Sequence, residues 1–347
     1  MIYNATCLSQ AQDVDDLRMI LIVILGSSVS LLGVVLNTFL LLSFSRLPVF
    51  HSNLLYLFLL AICDILVEIC FVLIFVCSLL WDFYQIYPLY VIWHYYIRIV
   101  STAGQVLIAS STLLIVAASF ERYFCSLKGC LGFSDRQRVL AVIVVFLSAL
   151  IMKGTVFVEL ELEYHPECPP FADLQLAQSS ITKIDSYRLI WMFWGRSILT
   201  VIVPFKLLLF LNAATISNLN KTSRDFESVL VEQMPSLLRA NNEASSARRR
   251  KRDATRTLTA IVSIYLITNF INIIITIFEF VDSGLLEIGG GWAYRYLSDL
   301  SSLLTISSTA VRLPVYFHCN QDMREQIRQN ARACFTKEPL KDVGEAI

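Results

Sequence analysis

Charge is scarce in this chain. Lys, Arg, Asp and Glu make up 16% of its 347 residues, where a soluble domain carries about 25%. The deficit argues against a water-exposed globule and for a membrane protein, as does the positive mean hydropathy of +0.63. The basic residues follow the loops instead of forming one large patch, so nucleic-acid binding is not expected. His51, His94, His165 and His318 lack metal-ligand spacing. No Ser/His/Asp constellation, Gly-rich phosphate loop or paired-carboxylate pattern stands out, so neither an enzyme nor a resident metal or cofactor is expected. Internal repeats and Gly/Pro-broken spans in matching positions are missing too, which disfavours a transporter or channel. The first sixteen residues have no basic start followed by an apolar run, so the first span is expected to act as the targeting signal.

What the chain does have is long apolar blocks. Spans are predicted at 17–44, 53–80, about 92–124, 137–160, 187–219, 254–281 and 294–317, each long enough to cross about 30 Å of hydrocarbon at 1.5 Å per residue. An aromatic connector, 81–96, reads as an interfacial belt. An acidic loop, 161–186, holds Cys168. The largest polar stretch, 220–253, ends in Arg248 to Arg252, a run suited to anionic lipid. In 321–335, Arg324, Arg328 and Arg332 recur every fourth residue, with Met323, Ile327 and Phe335 on other faces, as in a helix lying on a membrane surface.

The fold class is therefore an all-α membrane protein. It comprises an extracellular N-terminus at 1–16, a seven-helix transmembrane bundle at 17–317, and a cytoplasmic amphipathic helix and tail at 318–347. Lys and Arg of the intervening loops fall on one side, and Asp and Glu dominate the other. That places the N-terminus outside and the C-terminus inside, in the plasma membrane. The Asn4-Ala5-Thr6 sequon is then external. Cys7 and Cys168 lie in polar external segments, where a disulfide is permitted. Cys63, Cys70 and Cys319 sit in apolar runs and read as buried thiols.

Glu121-Arg122-Tyr123 closes the third span. Charges at the end of an apolar helix sit at an interface or have a function. Neighbours on a helix point about 100° apart, so Arg122 is expected to face the bundle interior with Glu121 restraining it from the side. Asp64 lies mid-span, where a carboxylate needs a partner, water or a proton.

Seven spans with Glu-Arg-Tyr at the inner end of the third resemble the rhodopsin-like G-protein-coupled receptors. Asn37, Leu60-Ala61-Ile62-Cys63-Asp64, Trp81-Asp82-Phe83 and Pro204 match family features in order. A narrower likeness is to FMRFamide and myosuppressin receptors and their nematode expansion. It rests on Tyr265-Leu266-Ile267-Thr268-Asn269, on Leu297-Ser298-Asp299-Leu300, and on Val315-Tyr316 followed by Met323-Arg324. The chain also departs from the pattern. Ile97 replaces the third-span cysteine, so Cys168 lacks its usual partner and pairs with Cys7 or Cys77, or stays free. Asn269 replaces a switch tryptophan, and Arg312-Leu313-Pro314-Val315-Tyr316 replaces Asn-Pro-x-x-Tyr.

The resemblance implies roles. Glu121, Arg122 and Tyr123 would contact a heterotrimeric G protein. Asn37, Asp64, Ser111, Arg312 and Tyr316 would form the polar core of the bundle. The alignment puts Arg312 where the family has an asparagine ligand of a sodium ion, which predicts an Asp64–Arg312 pair in the ion's place. Gly104, Gln105, Arg196, Glu279 and Asp299 are ligand-site candidates. Gly104 stands where amine receptors have aspartate, so an amine ligand is not expected. Asp299 or Glu279 would accept the guanidinium of an amidated Arg-Phe peptide, the alternative for each being a solvated loop-end charge. Asn4 is the candidate glycosylation site and Cys334 the candidate palmitoylation site. The ligand would be an extracellular neuropeptide or, on the same fold, an environmental molecule sensed by a chemosensory receptor.

Overall fold

In lipid no water is available to satisfy a backbone amide, so each apolar run must close its hydrogen bonds within itself. The computed structural model shows this outcome. It describes Cys7, 16–44, 54–128, 133–196, 198–232, 256–270, Ile274, 292–319, Arg324, Glu325 and Arg328. Asn4, Glu279, Cys334, the Arg248 to Arg252 run and all of the 321–335 stretch except Arg324, Glu325 and Arg328 lie outside these residues. Seven helices run through the described residues. They are α1 (Asp16–Phe44), α2 (Leu54–Tyr84), α3 (Tyr87–Lys128), α4 (Asp135–Glu159, with a turn at 154–155), α5 (Tyr187–Gly195, Ile198–Ile202 and Val203–Glu232), α6 (256–270) and α7 (Trp292–Ala310 and Arg312–Cys319). The first five include stretches long and apolar enough to cross a membrane.

The burial pattern is the reverse of a water-soluble protein's. Leu31 is 68% and Ile151 66% exposed, while Asp64 and Glu68 are 0% exposed. A surface of bare leucine and isoleucine is stable when the medium is hydrocarbon. One apolar cluster, around Tyr56, Leu60, Leu114, Val262 and Tyr316, fills the half of the bundle nearest Glu121. A second, around Ile22, Phe71, Leu79 and Ile306, fills the other half.

The 81–96 segment differs from the expected connector. Trp81 to Tyr84 complete α2, Gln85 ends it with φ of 53°, and α3 begins at Tyr87. Pro88 is tolerated in the first turn of α3, where its missing N–H has no partner to lose. The aromatics are therefore helical: Trp81 and Tyr90 pack inward, while Phe83, Tyr84, Tyr87 and Tyr95 stay exposed. Trp81 is 4% exposed and makes an edge contact with Tyr90 at 4.8 Å.

The 161–186 loop also has structure. Leu160–Tyr164 (β1) pairs antiparallel with Leu174–Gln178 (β2), with Leu162 opposite Leu176. The alternation in Leu160-Glu161-Leu162-Glu163-Tyr164 is a period-two signal. The tip carries Cys168, which is disulfide-bonded to Cys7; Cys77 is free. α3 holds the hairpin by aromatic side chains. The Tyr90 hydroxyl donates to the Leu174 carbonyl at 2.7 Å and accepts the Leu174 N–H at 3.0 Å. Tyr87 donates to Asp173 at 2.9 Å, and Phe171 stacks on Trp81. These contacts tie the hairpin to α3 without the cysteine that Ile97 replaces, and Ile97 is buried in packing.

Three helices widen locally into π-turns, α1 among them at Met19–Gly26. In α2, residues Val72–Val76 do so, and α3 answers the re-aimed carbonyls: Trp93 Nε1 donates to Ile74 and the Tyr96 hydroxyl to Leu73. In α5 the wide turn Ile198–Ile202 lies just before Pro204, whose ring cannot donate and crowds the preceding turn. Beyond the predicted 187–219, α5 continues to Glu232, inside the stretch expected to be a loop.

Candidate functional site

Three groups of polar residues interrupt the apolar interior. The central one joins α1, α2 and α7. Arg312 and Asp64 form an ion pair, both nearly sealed from solvent. One turn along α2, Glu68 accepts a hydrogen bond from Thr309 and lies against Gly33. A Cβ on Gly33 would run into the Glu68 carboxylate, so a larger residue there would have to push that side chain from its place. Asn37 donates to the Gly33 carbonyl at 3.0 Å and to the Thr309 carbonyl at 3.2 Å. Tyr316 sits one turn past Arg312, buried with its ring edge-on to Phe44 at 5.7 Å. Ser111 is buried nearby on α3, its hydroxyl unbonded among the described residues. The structure thus brings Asn37, Asp64, Arg312 and Tyr316 into one region. Glu68 belongs with them, and its signal was the spacing of four from Asp64, one helical turn on the same face.

The second group lies at the inner end of α3. Glu121 is hydrogen-bonded to another arginine and reaches Arg122 only through its charge. Its carboxylate is 1% exposed and is taken by Arg138 of α4, with Nη2 at 2.9 Å and Nε at 3.1 Å, and it also accepts the Phe133 N–H at 3.3 Å. The reason is the start of α4. Ser134 accepts from the Gln137 N–H while the Gln137 side chain accepts the Ser134 N–H, a reciprocal cap. That cap fixes the first turn of α4 and aims Arg138 at α3, and Asp135 supports it at 3.4 Å. The Ser-x-x-Gln spacing was the signal for a start earlier than Gln137. Arg122, half-buried, makes no hydrogen bond or ion pair among the described residues, and Tyr316 lies within its electrostatic range. Tyr123 meets Phe210 of α5 edge-on at 6.2 Å.

The third group lines a cavity of about 590 Å³ on the hairpin side of the bundle. Gly104, Gln105 and Arg196 all line it. The expected site lay between the third, fifth, sixth and seventh spans. The cavity reaches further, to Cys70 and Ile74 of α2 and Lys153 of α4. At its floor the hydroxyls of Thr112 and Tyr265 meet at 3.2 Å, joining α3 to α6.

Asp299 is not in this cavity, and it is not a solvated loop-end charge. It is 4% exposed and held in a fork by Arg18 of α1, Nε to Oδ2 at 2.7 Å and Nη2 to Oδ1 at 3.3 Å. Arg18 and Asp299 line a separate, smaller cavity of about 200 Å³. Arg196 is paired too, with Glu159 at 2.7 Å.

No protein-family model matches the chain, and no curated protein matches it. Among solved structures it is similar to squid rhodopsin, with a TM-score of 0.68 at 14% identity, over 99% of this chain and 93% of that one. At this identity the likeness establishes the fold, a rhodopsin-like seven-helix bundle.

Proposed function

We propose that this chain is a G-protein-coupled receptor of the plasma membrane, with its N-terminus outside and its C-terminus inside. The observation that carries the reading is Arg122. On a rhodopsin-like fold it stands half-buried near one end of α3, ten residues and about 15 Å from the cavity floor at Thr112, and it makes no hydrogen bond or ion pair with a described residue. A guanidinium with five free donors suits the carbonyls at the end of a partner helix. Ligand in the cavity would favour a state in which the inner ends of the helices separate, through differential affinity for two conformations. In this reading Glu121 and Tyr123 flank the G-protein contact. Gly104, Gln105 and Arg196 face ligand, Asn4 carries glycan and Cys334 carries lipid.

The test replaces Arg122 with alanine. Arg122→Ala should reach the cell surface in normal amount and lose G-protein nucleotide exchange. Unchanged exchange would remove Arg122 from the mechanism.

Two ligand classes fit the reading. The sixth- and seventh-span motifs support an FMRFamide-like neuropeptide. Its arginine would need a carboxylate, and Asp299 is already bound by Arg18. A chemosensory receptor for a small molecule is favoured by one observation: the charged side chains lining the cavity, among the described residues, are Lys153 and Arg196. Screening peptides and small molecules in cells carrying a promiscuous G protein separates the two.

A further inference from the structure

We infer that the cavity takes an anionic amphiphile, a single carboxylate on a largely apolar body, with the carboxylate seated between Lys153 and Arg196. The inference deepens the receptor reading and rests on it for its consequence in signalling.

The charge pattern comes first. Lys153 ends the regular run of α4, Asp135–Lys153, and lines the cavity half-buried. It makes no hydrogen bond or ion pair among the described residues. Arg196 lines the same wall and spends one nitrogen, Nη1, on Glu159 at 2.7 Å. The other oxygen of Glu159 is taken by the Tyr187 hydroxyl at 2.9 Å. Two cations against one acid leave one positive charge uncompensated. No acid among the described residues lines the cavity. An ammonium inside a bundle is costly without a counter-charge, and a ligand carboxylate supplies it. Glu159 holds the Arg196 fork in place, leaving the Nε and Nη2 donors of that fork for a second, geometrically defined contact.

The other walls set the rest of the ligand. Val67, Phe71, Ile74, Ile108, Val201 and Ile306 form the apolar part, beside hydroxyls and amides of residues such as Gln105, Thr200 and Asn269. They suit a hydrocarbon or aromatic body. The volume falls within the roughly 300–1,000 Å³ of small-molecule sites. A cationic ligand would meet Lys153 and Arg196 with like charge, and Gly104 offers it no carboxylate.

The test uses the full chain in nanodiscs of zwitterionic lipid. The probes are octanoate, 3-phenylpropionate and hexadecanoate, each with the methyl ester and the primary amine of the same skeleton. Binding is read by thermal stabilisation, and signalling by G-protein nucleotide exchange. The acids should bind about tenfold or more tightly than their esters, as expected for one charge-assisted contact, and the amines most weakly. Lys153→Gln should bring acid affinity down to that of the ester, and Lys153→Arg should keep it. Tight octanoate binding marks a ligand arriving from water, and preferential hexadecanoate binding marks one arriving from the bilayer; both support the inference. Esters or amines binding as well as acids, Lys153→Gln binding acids like the unmodified chain, or no probe binding at all would overturn it. If Lys153→Gln fails to fold, the order of acid, ester and amine on the unmodified chain decides. Acid binding with no nucleotide exchange from any acid or peptide sinks the receptor reading and leaves this inference standing. Exchange driven by a basic peptide amide, with no acid binding, does the reverse.

Discussion

Arg138 controls what Glu121 can do, and through it the freedom of Arg122. A buried carboxylate that loses its partner is strongly destabilised and seeks another cation. In Arg138→Ala the nearest one is Arg122. Nucleotide exchange should therefore fall about tenfold, the equivalent of about 1.4 kcal/mol of added restraint, and Glu121→Gln in the same chain should restore it. A loss that Glu121→Gln does not rescue would show that Arg138 acts by another route. The Asp64–Arg312 pair follows the same logic without the functional readout. Removing Arg312 alone leaves a buried carboxylate at a cost of about 3–5 kcal/mol, whereas the double change Asp64→Asn with Arg312→Gln should cost much less. Thermal melts of the three chains measure the difference, and equal losses would mean that the pair is not coupled. Asp64 and Arg312 could be matched from sequence because both lie in family-like motifs at known depths of their spans. Glu121 and Arg138 could not, because the capping of α4 decides where Arg138 points.

The hairpin β1–β2 depends on α3 through one hydroxyl that both donates and accepts. Tyr90→Phe leaves the Leu174 N–H and carbonyl unpaired at a buried position, a cost of about 1–3 kcal/mol. Amide exchange across Leu174–Gln178 should quicken while α2 and α4 stay protected. Unaltered exchange at Leu174 would mean that the Tyr87–Asp173 bond, the Phe171 ring contacts and the Cys7–Cys168 disulfide hold the element without it. The seven apolar spans were legible in the sequence because lipid demands long uninterrupted hydrophobic runs. Their ends were less so. α2 gained four residues at its end and α3 began five earlier than predicted, because Trp81, Tyr90 and Trp93 pack on one another across the helix ends. The hairpin was hidden for a related reason: an acidic, proline-containing stretch reads as loop until a surface exists on which Leu162 and Leu174 can pack.

For the whole molecule, the charge asymmetry of the loops predicts topology. A tag at the N-terminus should be reachable by antibody on intact cells, and a tag at the C-terminus only after permeabilisation. Both tags on one face would undo the assignment of ligand and G-protein sides. By itself the sequence determined the number of spans, their order, their expected orientation and the residues that a bilayer cannot leave alone. Hydrophobicity and charge are local properties, summed along the chain, and they need no partner to act. The tertiary structure decided which charges meet. Arg18 with Asp299, Glu121 with Arg138, and Lys153 beside Arg196 lie on different helices or are placed by caps and turns. Pairing strength falls steeply with a few ångströms of separation, and helix rotation and depth set that separation.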